Sequence, residues 1–174
     1  MSGSDLPLSR IVRRVDVPDE GLAVDLEADA SAGAALAAHL GIPAVERVSG
    51  RVEINPWGRN GLVVTGWVEA AVVQRCVVTF EPVHNVVRES FEEYFAPDPA
   101  AVPAQELGAI ERADIEALDN QRIDVGALAV EYLVLGLDPY PRREGAELTV
   151  TEGGQPGPES GPFAALAGLR GSGR

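Results

Sequence analysis

The chain has 174 residues, of which 45% are hydrophobic, 24% charged and 5% aromatic, enough apolar material for one domain core. Its 14 basic residues, every one an arginine, stand against 27 acidic ones for a net charge of −13, a field that repels phosphate backbones and sets DNA aside as a partner. One cysteine and two histidines exclude a disulfide framework and a cysteine-rich zinc cage, and without a long apolar run or a basic-then-apolar leader after Met1 the chain is expected to be cytoplasmic and free of membranes.

Residues 1–7 read as loose. Leu8 to Val17 reads as a first strand, with Ile11, Val15 and Val17 on one side and Arg10, Arg14 and Asp16 on the other. Pro18 to Gly21 is a turn, and the alternation over Leu22 to Leu26 predicts a second strand. Asp29 or Ser31 caps a short helix over Ala32 to Leu40, Gly41 supplies its left-handed stop, and His39 sits in its last turn, where the helix dipole favours a cation. Val45 to Asn55 is the clearest strand: Val48, Gly50, Val52 and Ile54 fall on one face and Arg47, Ser49, Arg51 and Glu53 on the other. Pro56 to Gly61 carries an Asn-Gly turn pair, so Leu62 to Val73 returns as the partner of an antiparallel hairpin.

Val77 to Phe80 is expected to continue the β-rich region until Pro82 interrupts it. Val83 to Phe95 suits a strand with Val87, Phe91 and Phe95 on one face, although Phe91 and Phe95 also have helical spacing. A proline-containing linker follows, and residues 109–119 read as a loop or a weak helix. Residues 81–119 hold ten acidic side chains and two arginines, which suits either a basic protein partner or a solvated acidic linker near 97–119. Asp124 caps a helix over Val125 to Gly136 that is apolar nearly all round, with Glu131 its only charge, and so is expected to be buried against a sheet. Residues 144–174 form a Gly- and Pro-rich flexible tail with an apolar hook at 163–169, where Phe163, Leu166 and Leu169 share a helical face that either docks back or binds a partner.

The fold class expected is α+β: an antiparallel twisted sheet or partial barrel packed against one or two helices, in a single domain over residues 1–143. Chemistry is sparse. The sequence has no Gly-rich phosphate loop and no Gly-x-Ser-x-Gly elbow. Cys76, with His84 eight residues away, lies in a strand-like run and reads as a structural thiol, and Arg75 beside it points to the opposite face. Glu92 and Glu93 diverge on a strand for the same reason and read as a solvated face rather than an acid–base pair. Trp57 and Arg59 at the hairpin tip, with Arg47 and Arg51 on the polar face of the same strand, make either an RNA-stacking surface or an ordinary charged sheet face.

Three stretches taken together resemble a known family. They are Val64-Thr-Gly-Trp-Val-Glu-Ala-Ala-Val-Val-Gln-Arg-Cys76 with Phe80-Glu-Pro82, Val87, Phe91 and Phe95; Ile123-Asp-Val-Gly-Ala-Leu128 leading to Asp138-Pro139-Tyr140-Pro141; and Pro162-Phe163-Ala-Ala-Leu166. In this order they resemble the YceD family, the large ribosomal RNA subunit accumulation proteins of bacteria and plastids, over roughly residues 20–170. The family's Cys-x-Arg-Cys motif survives here only as Arg75-Cys76, with Val73 at the first cysteine position, and Arg142-Arg143-Glu144 stands where many relatives carry further cysteines. The resemblance implies a non-enzymatic role in synthesis or accumulation of large-subunit ribosomal RNA. No cofactor or structural metal is expected of this member. The expected partner is a ribosome-assembly protein or the rRNA itself, contacted through Arg75, Cys76, Arg47, Arg51, Trp57, Arg59 and Phe163; the acidity favours the protein.

Overall fold

The computed structural model describes residues 7–147. It divides the chain into two units, Met1–Glu144 and Gly145–Arg174, and all the elements named here belong to the first. In chain order they are β1 (Ile11–Arg13), β2 (Leu22–Glu27), α1 (Ala30–Leu40), β3 (Ala44–Trp57), β4 (Gly61–Arg75), β5 (Pro82–Ala96), α2 (Ala104–Leu107), β6 (Ile115–Ala117), β7 (Arg122–Asp124) and α3 (Val125–Gly136). Five strands form one open sheet in the order β2-β3-β4-β5-β6. Its pairs are antiparallel except the last, where β6 runs parallel to β5. The sheet has two free edges and does not close into a barrel, so the α+β reading holds in its open-sheet form. Among the described residues, no helix is long and apolar enough to cross a membrane.

The alternation seen in the sequence sets the two faces. Val48, Val52, Ile54, Leu62, Val64, Val68, Val72, Val87, Phe91 and Phe95 are buried on the inner face, which α1 and α3 cover. A β-bulge between Val45 and Arg47, where β3 enters the sheet, shifts the parity so that Val45 is buried on the same face. The Asp29 carboxylate accepts from the Ala32 N–H at 2.8 Å, and Gly41, at φ 67°, ends α1 in the left-handed region.

β1 lies outside the main sheet and pairs with β7. Asp124 explains why. Its carboxylate caps α3 by accepting from the Gly126 and Ala127 N–H groups at 3.1 and 3.0 Å. It also accepts from the Ser9 hydroxyl at 2.6 Å and the Arg10 N–H at 2.7 Å. One side chain therefore starts a helix and fastens the N-terminal arm. The arm sits so close that a Cβ on Gly126 would lie 1.6 Å from the Leu8 carbonyl oxygen, which only glycine avoids.

Four expectations need correction. The first strand is three residues long rather than running from Leu8 to Val17, and it buries Val12 and Val17 while Ile11 and Val15 are exposed. The Arg13–Asp16 ion pair at 2.7 Å sits across a single 3₁₀ turn that breaks the alternation. Residues 77–80 turn instead of extending. Within the acidic segment Ile115 is buried and anchors β6, so that stretch adds an edge strand to the sheet. Finally, α3 buries only Val125, Gly126, Ala129, Val130 and Leu133; Val134 and Leu135 face outward. The apolar hook containing Phe163 lies outside the described residues.

Candidate interaction surfaces

The outer face of the sheet collects Arg47 and Arg51. Register places Arg51 opposite Trp67, which faces Ser90, and Ser49 opposite Glu69, which faces Arg88. The Arg88 guanidinium carbon lies 5.3 Å from the Trp67 ring centroid, a cation–π contact. Trp67 and Arg88 were not singled out from sequence. The period-two alternation of β4 put Trp67 on this face, but no signal within either strand reveals the register that brings Arg88 over it.

These arginines are engaged. Arg51 pairs with Asp25 at 3.0 Å and Glu53 at 3.7 Å. Arg47 and Arg88 share Glu69 at 3.4 and 3.8 Å. Asp25, Glu27, Glu53, Glu69 and Glu92 share the face with Arg47, Arg51 and Arg88, so carboxylates outnumber guanidinium groups and the surface does not attract phosphate.

Trp57 and Arg59 lie elsewhere. Six residues of strand at roughly 3.3 Å each put Trp57 about 20 Å from Arg51. The Trp57 ring packs edge-on against Tyr94, with centroids 5.1 Å apart. The hairpin tip and the segment from Ala96 to Glu106 line a mostly apolar cleft of about 210 Å³. The Arg59 N–H donates to the Glu106 carboxylate at 3.2 Å, which ties the tip to α2. Trp57 and Arg59 thus stand at the hairpin end of β3, apart from Arg47 and Arg51 farther along the strand.

The third place is the far end of β4. Arg75 is exposed, whereas Cys76 is fully buried in the turn that follows. Three backbone N–H groups, from Val78, Thr79 and Arg143, donate to its Sγ at 3.4 Å each. These bonds, the one from Arg143 foremost, hold the thiol's pKa down at about 6, against the opposing effect of burial. Cys76 is thus a buried thiol, as expected, but it sits at the centre of a turn and not within a strand. His84 is not its base: its Nδ1 lies 3.3 Å from Glu46. The Val77 N–H donates to the Pro141 carbonyl at 2.9 Å, and Arg143 pairs with Glu81 at 2.5 Å, so residues 141–143 close over the turn. The Arg142-Arg143-Glu144 segment thus meets the half-motif Arg75-Cys76 in space. Among the described residues no group of three or more His, Cys, Asp or Glu side chains is arranged to hold a metal ion.

Glu92 and Glu93 diverge as expected. Glu92 accepts from the Tyr94 hydroxyl at 2.8 Å on the outer face. Glu93 accepts a close hydrogen bond from the Tyr132 hydroxyl of α3. Burial, and then that carboxylate, push the Tyr132 hydroxyl up to about 12, so it remains a donor.

Compared with known proteins, residues 64–170 match the family described as large ribosomal RNA subunit accumulation protein YceD. The matched span begins in β4 and takes in β5, β6, β7, α3 and the closure over Cys76. No curated protein and no solved structure matches the chain.

Proposed function

Because this chain belongs to the YceD family of large ribosomal RNA subunit accumulation proteins, we propose that it is a non-enzymatic factor that sustains large-subunit ribosomal RNA during ribosome assembly by binding a protein. The family match carries the link to that RNA. The electrostatics support the route: the arginines of the outer face are paired with carboxylates, and the net charge of −13 opposes a phosphate backbone. A factor of this kind acts on rRNA through an assembly protein.

Two measurements test this. In a deletion strain the large-subunit rRNA is expected to fall relative to the small-subunit rRNA, and the intact gene to restore it. An unchanged ratio overturns the ribosomal reading and leaves an acidic adaptor with other business. Capture of the tagged protein with and without nuclease tests the route. Assembly proteins that stay bound after nuclease support it, whereas partners released with the RNA return the arginines of β3 to consideration as an RNA contact.

A further inference from the structure

Among the described residues, helix α3 has one apolar flank that no other element covers. Leu128, Tyr132 and Leu135 follow each other at helical spacing, beside the core-facing stripe, and Leu135 is 76% exposed. They line a groove of about 420 Å³ whose other wall is Phe95 of β5 and the β6 edge, within the roughly 300–1,000 Å³ usual for binding clefts. The floor is apolar and rigid: Phe91 stacks on Tyr132 at 4.7 Å, and the Tyr132 hydroxyl is held by Glu93.

The rim is acidic. Glu93, Glu116, Asp119, Asp124 and Glu131 border the groove, against Arg122 alone. Glu93 and Asp124 are used internally, by Tyr132 and by the α3 cap. Among the described residues Glu116 and Glu131 make no ion pair. An apolar trough between unneutralised carboxylates repels RNA. It complements a segment with apolar anchors on one side and guanidinium or ammonium groups on the other.

We propose that the groove between α3 and the β5–β6 edge is the docking site for a basic amphipathic peptide segment of a partner protein. This rests on the reading that the protein works through a protein partner, and it names where and by what chemistry. Leu128, Tyr132 and Leu135 receive the apolar anchors. Glu116 and Glu131 receive the cations.

The test uses the full chain and a fluorescein-labelled synthetic peptide with leucines on one helical face and arginines on the other, read by anisotropy at physiological salt. Two control peptides replace the leucines by serine or the arginines by glutamine. The expected result is saturable binding of the first peptide alone. Leu135→Ser and Glu131→Arg should each weaken it about tenfold or more, a typical effect of losing one anchor or reversing one rim charge. Glu20→Arg, an exposed reversal far along the chain, should leave it within about twofold. Absence of saturable binding overturns the proposal. So does equal binding of the serine peptide, or equal loss in Glu20→Arg, since either reduces the effect to net charge. A dimer in sedimentation that Leu135→Ser dissolves would assign the groove to a second copy, and single-stranded RNA displaced by the same variant would assign it to RNA; both overturn the proposal. The rRNA ratio in the deletion strain is a separate readout, so the groove and the ribosomal role can fail independently.

Discussion

Two residues at the Cys76 turn carry testable physics of their own. The thiol is held below its unfolded pKa of about 8.5, at about 6, by N–H donors that favour the thiolate. A folded pKa below the unfolded one means the unfolded chain binds more protons between the two values. Stability is therefore expected to rise from about pH 6 to about pH 8.5 and then level off, and to be lost as pH falls through 6. Urea midpoints across that range should show the rise in the native chain and not in Cys76→Ala; parallel profiles would refute the lowered pKa. Phe80 is the second. It sits at φ 62° and is 71% exposed, so its ring returns little for a conformation that costs a side chain roughly 1–2 kcal/mol. Phe80→Gly is expected to raise the unfolding free energy by about 0.5–1 kcal/mol once glycine's greater unfolded entropy is subtracted. A lower denaturant midpoint would show that the exposed ring has a folded-state partner. Neither property was visible in the sequence. Val77-Val78 continues the apolar run of β4, so the sequence does not show that the chain turns there or that the distant Arg143 N–H joins Val78 and Thr79 on the sulfur.

Individual elements show where sequence reading succeeded. The α3 boundaries and the Asp124 cap were legible because an Asx side chain before an apolar run has one common use. The β3–β4 hairpin was legible because β3 alternates cleanly and an Asn-Gly pair marks its turn, whereas β5, whose Phe91 and Phe95 also have helical spacing, was legible as a strand but not in its pairing. What sequence hid were pairings set by distant partners: β1 with β7, and the three-residue β6 inside an acidic run. The apolar flank of α3 was hidden for a different reason. Hydropathy shows that a helix is apolar, not which flank its sheet leaves open. Asp124 ties these levels together, accepting from four donors on two segments. Asp124→Ala is expected to destabilise the fold by about 2 kcal/mol or more, the upper end for a lost cap, because it also frees the arm. Hydrogen exchange should then quicken at Arg10 and Gly126 before it does in β4. Uniform acceleration would mean that the arm and the sheet unfold as one.

For the whole molecule, charge is the dominant global variable. A net charge of −13 on a 174-residue chain repels itself. The exposed ion pairs of the outer face, such as Arg51–Asp25, return little, each worth at most about 1 kcal/mol and less in salt. Screening should therefore help more than it harms. The melting temperature is expected to rise by a few degrees between low ionic strength and about 0.5 M sodium chloride, where the Debye length falls to a few ångströms. A fall would mean that the ion pairs outweigh the repulsion. The same imbalance links surface and function. The outer-face arginines Arg47, Arg51 and Arg88 pair with carboxylates of that face, and among the described residues Glu116 and Glu131, which make no ion pair, border the groove beside α3.

The N-terminal arm also has a temporal meaning. Ser9 and the Asp124 that receives it are 115 residues apart. At translation speeds of about 5–20 residues per second, the arm waits roughly 6–23 s for its seat to be made. The hairpins joining β3, β4 and β5 need only microseconds to milliseconds once their residues emerge. A nascent chain thus holds a nearly finished sheet with its first segment still loose. Seating of the arm waits for the Asp124 cap of α3, so a product that stops short of Asp124 is distinguished at its beginning and not only at its end.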